Sequence, residues 1–193
     1  MNICVYCSSS DTVAQAYFDA ARALGQGIAH RGDTLVYGGA DIGLMGALAR
    51  AVKAGGGTVI GVMPIVLQAK RIVFTGADEL VTTRDMRERK AVMESRADAF
   101  VVLPGGFGTL EELSEILTLR QIGAHTKPIV LLNTESYYAP LIALFEHFYQ
   151  QRFAHPWRDI YYLTDDVADV FRYLESYSPM PAPSKLDGLE EKS

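Results

Sequence analysis

Residues 99–112 read Ala-Phe-Val-Val-Leu-Pro-Gly-Gly-Phe-Gly-Thr-Leu-Glu-Glu, and their order decides the fold class. Ala99–Leu103 is an apolar run without polar alternation, as expected for a strand buried on both faces. Pro104, Gly105 and Gly106 break that run. From Thr109 a helical pattern sets in, with Leu110, Leu113, Ile116 and Leu117 on its inner side. A strand that passes through a tight glycine loop into a helix is the building unit of a parallel sheet.

The same alternation extends in both directions. Strands are expected at Ile3–Cys7, Thr34–Tyr37, Thr58–Met63 and Ile129–Leu132, with a weaker one at Ile160–Leu163. Helices are expected over Thr12–His30, Gly43–Ala54, Met86–Ser95, Thr109–Gln121, Ala139–Arg152 and Asp165–Tyr177. Residues 64–83 read as a short strand and a loop beyond Pro64. The expected architecture is α/β: a three-layer sandwich with a mainly parallel sheet and helices on both faces. Its single domain covers residues 1–177. From Ser178 the chain carries three prolines and a charged end, with too little apolar surface to fold, so residues 178–193 are expected to be a disordered tail.

The 193 residues suffice for one sizeable core, since a chain of this size buries near 70% of its unfolded surface. With 18 basic and 23 acidic side chains the net charge is −5, which argues against a general nucleic-acid binder. Two cysteines exclude a disulfide scaffold and fit a reducing compartment. Met-Asn-Ile-Cys-Val-Tyr has no basic region before an apolar run, so no signal peptide is expected. Nor does any stretch approach the ~18 apolar residues of a membrane span. These features lead to the expectation of a soluble cytoplasmic protein without a membrane partner. Cys4 and Cys7, three apart on a strand, point to opposite faces and read as buried thiols. No metal is expected, because His30, His125, His147 and His155 lack ligand spacing. The aromatic stretch Tyr149, Phe153, Trp157, Tyr161 and Tyr162 reads as core or dimer surface.

Ligands of open parallel sheets bind beyond the carboxyl ends of the strands, and three loops there are unusual. In the first, Gly105, Gly106 and Gly108 let backbone N–H groups approach an anion at a helix N-terminus, where Thr109 adds a hydroxyl or caps the helix. No Gly-Lys-Ser/Thr follows, and Glu111 stands where a dinucleotide fingerprint has its third glycine, so a monophosphate is the better ligand. The second loop, Tyr37 to Gly46, frees the backbone at Gly38 and Gly39, and its Gly43 and Gly46 permit close packing. The third, Cys7-Ser8-Ser9-Ser10-Asp11, offers hydroxyls that serve helix capping or phosphate binding. Between Arg84 and Arg96 lie Arg87, Arg89 and Lys90 as well, a local reversal of sign that reads as a solvated face or as a reach toward phosphate or sugar. Glu111 and Glu112 stand about 100° apart on their helix, so one is expected to cap the helix or offset the basic cluster while the other faces the pocket.

These residues resemble a known family. Pro104-Gly105-Gly106-Phe107-Gly108-Thr109-Leu110-Glu111-Glu112 matches Pro-Gly-Gly-x-Gly-Thr-x-x-Glu, the signature of the "Lonely guy" cytokinin-activating phosphoribohydrolases. Met86-Arg87-Glu88-Arg89-Lys90 resembles the companion Met-x-x-Arg-Lys motif, and Gly38-Gly39 with Gly43-Leu44-Met45-Gly46 resembles a third element. The resemblance covers roughly residues 1–177. It implies a Rossmann-like homodimer that hydrolyses nucleoside 5′-monophosphates, AMP or N6-modified AMP, to free base and ribose 5-phosphate, with no cofactor. It implies Arg89 and Glu112 as the catalytic pair. Around the substrate it implies Ser9, Gly38, Gly39, Gly43, Met45, Gly46, Met86, Lys90, Gly105, Gly106, Phe107, Gly108, Thr109, Leu110, Glu111 and Thr118.

The chain departs from the family pattern at Ser8 and Thr12, which replace glycines, and at Ala40, where a third consecutive glycine is common. Arg87 replaces a frequent His, and Arg71 stands where plant-type members carry a base-binding Glu. Two other readings compete. A pyridoxal-phosphate lysine decarboxylase needs a Schiff-base lysine and a cofactor partner acid, which nothing in the sequence resembles. A nucleotide carrier without turnover has no need of both Arg89 and Glu112.

Overall fold

The computed structural model describes residues 1–154 and 157–179; the tail expected to be disordered falls, from residue 180, outside the described residues. In chain order the elements are β1 (Asn2–Tyr6), α1 (Gln15–His30), β2 (Thr34–Tyr37), α2 (Gly43–Ala54), β3 (Thr58–Pro64), α3 (Ile65–Gln68) and β4 (Glu79–Thr83). They continue with α4 (Met86–Arg96), β5 (Ala99–Val102), α5 (Phe107–Gln121), β6 (Ile129–Leu132), α6 (Ala139–Gln150), β7 (Tyr162–Thr164) and α7 (Val167–Ser176). All seven strands pair in parallel, in the order β4-β3-β2-β1-β5-β6-β7.

The pleat sends successive residues to opposite faces, and each face has its own core. Ile3, Val5 and Cys7 join Leu24 and Ile28 of α1, Leu48 and Val52 of α2, and Val170 and Leu174 of α7. Cys4 and Tyr6 face the other way, against Met93 of α4, Leu113 and Ile116 of α5, and Tyr138 before α6. The two buried thiols therefore lie on opposite sides of the sheet, as their spacing predicts. The Rossmann-like sandwich has the expected strand content, with differences at the margins. Residues 64–83 hold a short helix and a parallel edge strand, β4. The weak strand expected at Ile160–Leu163 is shifted to Tyr162–Thr164, and Tyr162 stacks on Tyr173 with ring centroids 4.2 Å apart. Helix α1 starts at Gln15 rather than Thr12, because the Thr12 hydroxyl is engaged with Ser10 in the preceding turn.

Strand order runs outward from β1 through β2 and β3 to β4, then reverses and resumes at β5 on the other side of β1. The loops after β1 and β5 diverge at that switch point and leave a crevice at the carboxyl end of the sheet. The Ser8 amide donates to the Pro104 carbonyl across the floor of this crevice, at 3.3 Å. Among the described residues no helix is long and apolar enough to cross a membrane.

Candidate active site

A cavity of about 580 Å³ opens in the crevice. Its walls come from loops after four adjacent strands: Ser8, Ser9 and Ser10 after β1, Gly38 and Ala40 after β2, Leu67, Lys70 and Ile72 after β3, and Gly106–Thr109 after β5. Met45 of α2, Met86 and Arg89 of α4 and Glu112 of α5 complete it.

Helix α5 begins at Phe107, two residues earlier than its apolar pattern suggests, with Gly106 as N-cap and the Leu110 amide bonded to the Gly106 carbonyl. Thr109 is therefore not the cap. It is a buried first-turn residue beneath Gly105, where a Cβ would strike the Thr109 side chain. At Gly106 and Gly108 a Cβ would meet nothing within 4 Å. The amides of the first turn, which have no helical partner, thus stand at an unobstructed rim, and the helix dipole adds partial positive charge. The inward stripe of α5 runs through Thr109, Glu112, Leu113, Ile116 and Arg120. Leu110, expected inside, is 39% exposed, and Leu117 is half-buried.

Helix α4 is started by Asp85, whose carboxylate accepts from the Arg87 and Glu88 amides, each at 2.9 Å. Arg89 and Met93 are the buried residues of this helix. The Arg89 guanidinium donates from Nε to the Val62 carbonyl at 3.0 Å and from Nη1 to Glu112 Oε1 at 2.8 Å. Both side chains of the pair are more than 90% buried. Burial pushes the Glu112 carboxyl above its ordinary range, and the Arg89 charge pulls it down. Space for the guanidinium exists because residue 38 is glycine: a Cβ there would run into Arg89 Nη2 and come within 2.9 Å of Met45 Sδ.

The remaining expected residues divide. Ser9, Gly38, Met45, Met86, Gly106, Phe107, Gly108 and Thr109 line the cavity with the pair. Gly39, Gly43, Gly46 and Gly105 shape its walls from behind; a Cβ on Gly43 would collide with the Ser8–Ser10 backbone. Lys90 and Glu111 form an ion pair with each other outside the cavity, joined by Glu115 at 2.9 Å from Lys90 Nζ. Thr118 is not brought to the cavity. It is exposed, its hydroxyl donates to the Ser114 carbonyl, and it borders a separate groove beside Phe145 and Tyr149. The basic segment is largely neutralised in place. Arg84 pairs with Glu88, Arg96 with Glu79, Lys90 with Glu111 and Arg89 with Glu112, which leaves Arg87 without an acidic partner among the described residues.

Sequence reasoning missed several contributors. The Tyr137 hydroxyl donates to the Gly105 carbonyl and the Tyr138 hydroxyl to the Leu103 carbonyl, both at 2.7 Å, so two tyrosines hold the glycine loop from below. Leu67, Lys70 and Ile72 also went unread. Both groups follow the carboxyl end of a strand, and that position alone could have drawn attention to them.

A doubly wound parallel sheet with a glycine-rimmed crevice at its switch point places this protein among the Rossmann-like α/β proteins. Solved structures agree. The molybdenum cofactor carrier protein from Chlamydomonas reinhardtii superposes with a TM-score of 0.68 at 23% identity, covering 91% of this chain and 98% of that one. The molybdenum cofactor binding protein from Rippkaea orientalis does so with 0.67 at 20%, covering 91% and 94%. Residues 45–174 match the family described as "Possible lysine decarboxylase". Among named relatives, the cytokinin riboside 5′-monophosphate phosphoribohydrolases LOG1 and LOG3 of Arabidopsis thaliana are 43% and 41% identical, each over 92% of this chain and 84% and 83% of theirs. The probable phosphoribohydrolase LOGL2 of Oryza sativa subsp. japonica is 42% identical over 92% of this chain and 73% of its own length. The chain belongs to the cytokinin riboside 5′-monophosphate phosphoribohydrolase family.

The decarboxylase description implies pyridoxal phosphate, and the residues present do not fit it. The lysine at the cavity, Lys70, is exposed at the mouth, and the acid, Glu112, is tied to Arg89 rather than free to hold a pyridinium nitrogen.

Proposed function

We propose that this protein hydrolyses the N-glycosidic bond of adenosine 5′-monophosphates, N6-modified ones included, and releases the free base and ribose 5-phosphate. The observation that carries this reading is the buried Arg89–Glu112 pair in the wall of a cavity whose rim is the glycine loop. The phosphate sits against the amides at Gly106 and Gly108, where no side chain intervenes. The ribose then lies beside Glu112. As the C1′–N9 bond breaks, positive charge builds on the sugar, and an adjacent carboxylate stabilises it and takes a proton from the attacking water. Arg89 keeps its own proton and acts by holding Glu112 ionised and in place. The cavity volume of about 580 Å³ is of the size that small-molecule sites have. Met45, Met63 and Met86 give it adaptable apolar walls that suit a base with an alkyl substituent.

The protein acts as a cytoplasmic homodimer on this reading. The exposed Leu144 and Phe148 of α6, with Phe153 just beyond, form an apolar strip available to a second copy. Purified protein given AMP and N6-isopentenyl-AMP should release base from both, with the ratio of kcat/KM defining the preferred substrate. Glu112→Gln should still bind AMP but release no adenine. Normal turnover by that variant would refute the assignment.

A further inference from the structure

Glycosidic cleavage builds charge of both signs, and the Arg89–Glu112 pair addresses only one of them. While the ribose becomes cationic, the bonding electron pair stays on the purine. A purine that departs as an anion departs slowly, so a positioned proton donor gives a large factor in rate.

Arg89 does not release its proton. Glu112 is required as a carboxylate. Tyr6 and Cys7 border the cavity, but burial pushes both well above their ordinary values. Serine and threonine hydroxyls are poorer proton donors still. What remains is Lys70, whose ammonium has no ion-pair partner among the described residues and stands at the solvent edge.

Its position fits the task. Lys70 follows β3 and the glycine loop follows β5, with β2 and β1 between them. Three inter-strand steps separate the two by roughly 14 Å, a span that a nucleotide bound at the glycine loop and an extended lysine side chain cover together. With the phosphate at the glycine loop, the base falls at the Lys70 end, among Met63, Leu67, Ile72 and Met86. The turn that carries Lys70 is anchored. The Asp41 amide donates to the Ile72 carbonyl at 2.7 Å, the Phe74 amide to the Gly39 carbonyl at 2.9 Å, and the Gln68 side chain to the Thr82 hydroxyl at 2.7 Å.

We propose that Lys70 is a further catalytic residue, which contacts the departing purine and donates a proton to its ring nitrogen as the C1′–N9 bond breaks. The step balances. Water oxygen bonds to C1′ and its proton passes to Glu112. The C1′–N9 electron pair stays with the purine, which takes a proton from the ammonium. Glu112 returns its proton to solvent, and the exposed amine takes one back.

This inference rests on the proposed hydrolysis, and the test separates the two. Wild type and Lys70→Met are assayed on AMP and on 4-nitrophenyl β-ribofuranoside 5-phosphate, whose leaving group needs no proton. Lys70→Met should lower kcat for AMP by about 10²-fold, leave kcat for the nitrophenyl substrate nearly unchanged, and show the wild-type circular dichroism melt. Equal losses on both substrates, or no loss on AMP, would overturn the role of Lys70 while hydrolysis stands. Wild type acting on neither substrate would overturn both.

Discussion

Two ion pairs join α4 to α5, built from consecutive residues on each helix. Arg89–Glu112 is buried and faces the cavity, whereas Lys90 meets Glu111 and Glu115 on the outside, with those two carboxylates 58% and 43% exposed. One residue step along a helix turns a side chain by about 100°, and that step separates the two environments. A buried pair owes its strength to mutual dependence: either partner alone is a stranded charge. In the outer network Lys90 itself is only 11% exposed, but both of its carboxylate partners reach water, which weakens the pairing and leaves neither carboxylate stranded when the lysine is lost. Neighbouring residues of like charge thus carry opposite mutational meanings.

The largest effect that would test this contrast comes from Glu112→Gln, for which base release should fall by at least 10²–10³-fold while calorimetric titration still detects AMP binding. Arg89→Met should destabilise the fold by about 3–5 kcal/mol, since it leaves Glu112 buried without a partner; denaturant midpoints measure this. Lys90→Met should cost less than Arg89→Met, because the carboxylates it leaves behind are exposed to water, and should leave turnover close to wild type. A collapse of AMP turnover in a well-folded Lys90→Met protein would instead make the outer pair part of the substrate site.

The pH dependence sharpens the same contrast. Burial raises the Glu112 carboxyl above about 4.5, so the folded protein binds the extra proton over the interval between the unfolded and folded values. The corresponding stability is fully present below the unfolded value and is lost as pH rises through the folded one. Activity needs the carboxylate and runs the other way. The acid limb of kcat/KM should therefore lie above 4.5 and move further up in Arg89→Met, where residual turnover permits the profile. The smallest effect belongs to Gly108→Ala. It adds a helix former inside α5 and should stabilise the fold by up to about 1 kcal/mol, yet its methyl group would occupy the open rim and weaken binding of phosphate-bearing ligands.

The sheet was legible wherever a strand is buried on both faces, because Ala99–Val102 and Ile129–Leu132 carry no polar residue to blur the run. β4 was legible only as a short strand without bounds within residues 64–83: it lies at the sheet edge and is half-exposed, so Glu79 and two threonines interrupt its apolar signal. Arg89 and Glu112 were legible through their motifs. The neutralisation of the basic segment was legible only in part, through the expectation that Glu111 or Glu112 offsets it; Glu79 and Glu115 also reach it from other elements, and local composition does not register partners brought close by folding. Thr118 shows the converse: it lies on the helix that carries Glu112, but about one and two-thirds turns further on and on the outward face.

The missing side chain at Gly38 has a genetic consequence. Because the guanidinium of Arg89 fills the volume that any side chain at residue 38 would need, the two positions share one compartment. Gly38→Ala should be harmful in the wild-type background and milder once residue 89 has been shortened to alanine, when only the flexible Met45 thioether has to move aside. The cost of a change at 38 is then in large part a property of residue 89, and a survey that substitutes positions one at a time would credit the glycine with a role that belongs mainly to the arginine.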